Sequence, residues 1–67
     1  MTPQQALRHE MAWQRSGDAE FPYQARHEGM LWRVRVNDFP AQALYTLLVD
    51  GAEWVDFDDW PRCWHRP

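Results

Sequence analysis

The sequence predicts a small α+β protein: an N-terminal helix packed on an antiparallel β-meander of three to four strands, closed by a tryptophan-rich C-terminal turn. Three observations lead there. A helix-start signature, Thr2-Pro3-Gln4-Gln5, opens the chain. Two turn dipeptides, Glu28-Gly29 and Asp50-Gly51, each separate runs of strand character. Five of the 67 residues are tryptophan, and three of these fall in the segment Trp54-Val-Asp-Phe-Asp-Asp-Trp60-Pro-Arg-Cys-Trp64.

The helix is expected over residues 3–16. Thr2 suits the N-cap, Pro3 the first helical position, and Gln5 completes a capping box. Leu7 and Met11 lie four apart on one face, with Ala6 and Trp13 beside them. Gly17 is a natural stop.

Residues 21–36 read as a hairpin. A two-residue loop at Glu28-Gly29 sets His27 against Met30, Ala25 against Trp32, Tyr23 against Val34 and Phe21 against Val36. Gln24 then faces Arg33, and Pro22 faces Arg35. That register separates an apolar face from a polar one, which is how strand register is specified. Pro22 suits an edge strand because it has no amide to donate.

Asn37-Asp38-Phe39-Pro40 reads as a loop, and Ala43–Val49 as the next strand. A two-residue loop at Asp50-Gly51 pairs Val49 with Ala52, Leu47 with Trp54 and Tyr45 with Asp56. The other face pairs Leu48 with Glu53, Thr46 with Val55 and Leu44 with Phe57. Both faces of strand 43–49 carry apolar groups, so it is expected in the sheet interior. The helix would cover one face and the 60–64 segment part of the other. Asp58 or Asp59 is placed to cap a short helical turn starting near Trp60-Pro61. On this reading Trp60 packs on the sheet and Trp64 stays partly exposed.

A chain of 67 residues is expected to form one small domain. At that size only about 60% of the unfolded surface is buried, so stability is marginal. Cys63 is the lone cysteine, so no internal disulfide forms, and a single thiol fits a reducing cytoplasm. The first ten residues lack the apolar core of a secretory leader, and no apolar run reaches the roughly 20 residues of a membrane helix. All seven basic residues are arginine, a usage that points to a GC-rich bacterial genome. The net charge of −3 argues against general affinity for nucleic acid.

Few residues are arranged for chemistry. Cys63-x-His65 lacks the second ligand pair of a structural zinc site, so no metal is expected. Asp50, Glu53, Asp56, Asp58 and Asp59 read as a solvated sheet edge that discourages edge-to-edge pairing. Ser16 is the only serine, and no general base accompanies it in sequence. Gly17, Gly29 and Gly51 are used by a helix stop and two turns, leaving none for a phosphate loop. No cofactor and no catalytic activity are expected.

The leading expectation is therefore a small bacterial protein-interaction module or regulator. Its candidate partner-binding residues are Trp54, Asp58, Asp59, Trp60, Arg62 and Trp64, because Trp and Arg dominate binding hot spots. A homodimer would bury the same residues. The alternative is nucleic-acid or nucleotide binding through a sheet face carrying Gln24, Arg26, Arg33 and Arg35. Against it, Phe21, Tyr23 and Trp32 fall on the opposite face, where they cannot stack bases beside those arginines. A solvated sheet face, with any Arg–Asp pairing to the acidic tail worth only about 0–1 kcal/mol per pair, is the plainer reading. A third reading makes the chain a subunit of an enzyme whose chemistry lies elsewhere.

Overall fold

The computed structural model describes residues 1–67. It contains one helical turn, α1 (Pro3–Ala6), and seven strands: β1 (Met11–Ala12), β2 (Gln14–Arg15), β3 (Tyr23–His27), β4 (Met30–Val36), β5 (Tyr45–Val49), β6 (Ala52–Phe57) and β7 (Trp64–His65). Strands β2 to β6 form a five-stranded antiparallel meander in sequence order, and β1 pairs with β7 in parallel. The chain is 43% strand and 6% helix. The predicted α+β class, with an N-terminal helix lying on the meander, is therefore wrong: the fold is mostly sheet, and extended segments cover it.

The helix starts as predicted but does not continue. Thr2 Oγ1 accepts from the Gln5 amide, and Gln5 Oε1 accepts from the Thr2 amide, completing the capping box. After Ala6 the burial period changes. Met11 and Trp13 are buried while Ala12 and Gln14 are exposed, an alternation of two rather than 3.6. The Met11 amide donates to the Cys63 carbonyl at 3.2 Å, and the Trp13 amide to the His65 carbonyl at 2.9 Å. A 14-residue helix is marginal by itself. Pairing with β7 satisfies the same backbone groups and also buries Trp13 to 3% exposure.

The first hairpin has the predicted register, with Tyr23 opposite Val34, Ala25 opposite Trp32 and His27 opposite Met30. Glu28 and Gly29 have φ of 52° and 77°, and Asp50 and Gly51 have 50° and 85°. These are the paired positive φ values of the turn that matches strand twist, with glycine in the second position. The expected Phe21–Val36 pairing is absent from the ladder; the Val36 amide donates instead to the Glu20 carbonyl.

The second hairpin departs from the predicted register after two pairs. Val49 opposes Ala52 and Leu48 opposes Glu53, but Leu47 opposes Val55, Thr46 opposes Asp56 and Tyr45 opposes Phe57. Trp54 is the extra residue of a β-bulge. The unbulged register would have put Asp56 on the core face and Phe57 on the other. The one-residue insertion reverses that for every residue beyond it.

One apolar cluster results, made of Ala6, Met11, Trp13, Ala25, Trp32, Val34, Leu47, Val49, Phe57 and Trp64. It lies on one face of the meander, under α1, β1 and β7. Strand β5 is buried on both faces, as its pattern implied, but no helix covers it.

Candidate interaction surfaces

The tryptophan-rich end is a lid. Trp64 is 3% exposed, and its indole Nε1 donates to the Ala6 carbonyl at 3.1 Å. Its ring lies 4.8 Å from Trp13, 5.3 Å from Phe57 and 5.4 Å from Trp60, centroid to centroid. The expectation that Trp64 stays partly exposed is reversed. Trp60 is the half-buried one, donating through Nε1 to the Trp64 carbonyl at 2.9 Å, with the Arg66 guanidinium over its ring. Trp54 is half-buried beside Trp32. The segment also forms no helical turn at Trp60: Asp58 Oδ1 accepts from the Leu44 amide instead of capping. Of the six sequence-predicted partner-binding residues, Asp58, Asp59 and Arg62 are exposed.

Asp58 and Asp59 belong to a larger feature. In an antiparallel meander, the β2–β3 connection, the β4–β5 connection and the chain leaving β6 emerge at one end of the sheet. Asp18, Glu20, Asp38, Asp58 and Asp59 sit on these three segments, and all five are exposed. Residues 16–22 and 37–44 contain no cation. Amid these carboxylates Phe39 is 56% exposed and Val36 39%, two of the three large apolar residues left in water.

This end is braced by hydrogen bonds. The Asn37 amide donates to the Leu44 carbonyl at 2.9 Å, its Nδ2 to the Ala43 carbonyl at 3.0 Å, and the Gln42 amide to the Asp38 carbonyl at 2.9 Å. Ser16 Oγ donates to the Phe21 carbonyl, and Asp18 Oδ1 accepts from the Glu20 amide at 2.8 Å. The Val36–Glu20 bond and the Asp58–Leu44 bond tie the three segments together. Phe39 is thus presented on a fixed loop. The sequence places residues 37–40 in a connection, and the signal it carries for a surface anchor is an aromatic standing among turn residues.

The arginine face is largely neutralised. Arg35 Nη1 donates to Glu53 Oε2 at 3.0 Å, and its Nε donates to Asn37 Oδ1 at 2.9 Å. Thr46, 1% exposed, accepts from Asn37 Nδ2 and donates to Asp56 Oδ1, each at 2.7 Å. Arg33 lies 4.0 Å over the Phe21 ring and 4.0 Å from Asp18. Gln24 and Arg26 line a separate gap of about 500 Å³ together with Ala12, Gln14, Ala25 and Leu31. Arg26 is exposed and makes no ion pair.

The remaining reactive groups are engaged locally. Cys63 Sγ donates to the Leu7 carbonyl, and His65 Nε2 lies 3.1 Å from Glu10 Oε2. The His9 and His27 rings lie 4.5 Å apart, centroid to centroid, tilted by 55°. No three His, Cys, Asp or Glu side chains are grouped to hold a metal ion, and no helix is long and apolar enough to cross a membrane.

Comparison with family models, with curated proteins and with solved structures finds no match for the chain. The surfaces themselves therefore carry the functional argument.

Proposed function

We propose that this chain is a non-catalytic protein-interaction module, a small cytoplasmic adaptor or regulator of bacterial origin. Its binding surface is the acidic sheet end, with Phe39 as the anchor. The observation that carries this reading is an aromatic ring more than half exposed on a hydrogen-bonded loop, at a sheet end whose three segments carry five exposed carboxylates. A rigid aromatic loses little entropy on binding, and such anchors dominate interface energetics. The surrounding charge selects a partner with Lys or Arg flanking an apolar pocket, and it speeds the encounter. The single serine and the single cysteine are both held in backbone hydrogen bonds, which supports a role without nucleophilic chemistry. The engagement of Arg33 and Arg35 weighs against the nucleic-acid alternative, since phosphate binding would have to break those contacts.

The test is a photo-crosslinking residue placed at position 39, and separately at exposed Gln4 as a control, in the cell of origin. A single polypeptide should be captured from position 39 only. Its affinity for the purified chain should fall at least about 30-fold on Phe39→Ala, the size of a hot-spot loss of 2 kcal/mol. The melting temperature should not move. Equal capture from both positions, or an unchanged affinity, would refute the reading.

A further inference from the structure

The gap beside Arg26 has a definite backbone origin. The ladder between the edge segment 14–16 and β3 runs through Ser16, whose amide donates to the Pro22 carbonyl at 3.1 Å, and through the pair Gln14–Gln24. Hydrogen-bonded pairs recur every second residue in an antiparallel ladder, so Ala12 and Arg26 are next. That pair does not form, because at Trp13 the chain leaves β3 and pairs with β7.

Both residues are left facing the opening. Met11 and Trp13 direct their amides at β7, so the amide and carbonyl of Ala12 between them point the other way. Opposite, Leu31 is the partner of Arg26, and both backbone groups of Leu31 are taken from the far side by Asp50. The Asp50 amide donates to the Leu31 carbonyl at 2.8 Å, and Asp50 Oδ1 accepts from the Leu31 amide at 2.9 Å. Arg26 therefore turns its own amide and carbonyl into the gap, and no backbone or side-chain hydrogen bond between elements uses them. A volume of about 500 Å³ is far more than a bridging water occupies, at about 30 Å³ each.

We propose that this gap is a strand-addition site that takes an extended, acidic segment of a partner polypeptide. The segment runs in the lane that the chain vacates at Trp13. It pairs with the free amide and carbonyl of Arg26 on one side and of Ala12 on the other, the mode in which a peptide extends a sheet edge. Leu31, on the face of Arg26, offers an apolar contact, and Gln14 and Gln24 on the same face offer side-chain amides. Charge sets the sign of the occupant. Arg26 is the one sheet arginine outside every ion pair that stands at this opening, while Arg33 and Arg35 are paired. A carboxylate on the added strand would meet its guanidinium in the bidentate geometry that Arg favours.

The site is separate from the Phe39 surface, so each reading can fail alone. The probe is a pool of heptapeptides alternating Val, Thr or Ile with Asp or Glu, added to the 15N-labelled chain. We expect saturable amide shifts centred on Ala12 and Arg26 for at least one pool member, unchanged in Phe39→Ala. Affinity should drop at least tenfold in Arg26→Glu, and at least tenfold for the parent chain when the peptide carboxylates become Lys. N-methylation of the paired peptide amides should abolish binding. The proposal is overturned if no pool member shifts either amide at millimolar concentration. It is equally overturned if Arg26→Glu binds as well, or if N-methylated peptides do.

Discussion

Trp64→Ala is the sharpest test of the lid. The side chain is 3% exposed and packs against Trp13, Phe57 and Trp60. Truncating a buried Trp costs about 3–5 kcal/mol. The Ala6 carbonyl also loses its indole donor but keeps the His9 amide at 3.2 Å, so the lost hydrogen bond adds about 0.5–1.5 kcal/mol. A chain of 67 residues, at about 0.05–0.15 kcal/mol per residue, has a total stability of about 3–10 kcal/mol. The variant should therefore be unfolded or nearly so before denaturant is added.

Two companions separate the contributions. Trp64→Phe keeps most of the ring volume and removes the indole donor, so it should cost about 0.5–1.5 kcal/mol plus a smaller packing loss. Trp60→Ala, at a half-buried site, should cost less than Trp64→Ala. Urea unfolding followed by far-UV circular dichroism reads all three. With a slope near 1 kcal/mol/M for a chain this small, each kcal/mol moves the midpoint by about 1 M. A Trp64→Ala midpoint within about 0.5 M of the parent would refute the lid, leaving residues 60–67 as an appendage on a fold complete at Phe57.

Two further predictions concern the sheet. Thr46→Val should destabilise by about 1–3 kcal/mol in the same assay although Val favours strands, because the hydroxyl links Asn37 to Asp56 in a site 1% exposed; no loss would mean that the network is incidental. Deleting Trp54 should give a regular hairpin that keeps Thr46 opposite Asp56 and Tyr45 opposite Phe57 in cross-strand NOEs, whereas deleting Asp56 should flip Phe57 off the core and unfold the chain.

What the sequence revealed was local. Glu28-Gly29 and Asp50-Gly51 fixed both turns, and alternation around the first fixed its register, because each signal spans only a few residues. The N-terminal segment carried two signals at once: Leu7 and Met11 at helical spacing, Met11 and Trp13 at strand spacing. The deciding partner, β7, lies some fifty residues further on and pairs over only two residues, too short to leave a pattern of its own. The bulge has a sign in the sequence. Glu53 and Asp56 are three apart, so they cannot share the solvent face of a regular strand, and one extra residue between them is the simplest repair. Among the functional candidates, residue type favours the tryptophans, and the core takes the best of them. A domain this small needs its largest aromatics for burial, which is why Phe39, in a loop, was left to face water.

The same shortage of covering material accounts for the gap at Arg26. The segment 11–15 is asked to do two jobs: to extend the meander beyond β3 and to hold β7 over the core. Five residues cannot do both along their whole length. Gln14 and Arg15 pair with the meander, the Met11 and Trp13 amides bond β7, and Trp13 at the division also sends its ring into the core. Two strand residues are then left with free backbone groups at the branch. The opening is thus a consequence of how the lid is held. An added strand would satisfy the freed groups without disturbing the contacts that keep the core closed.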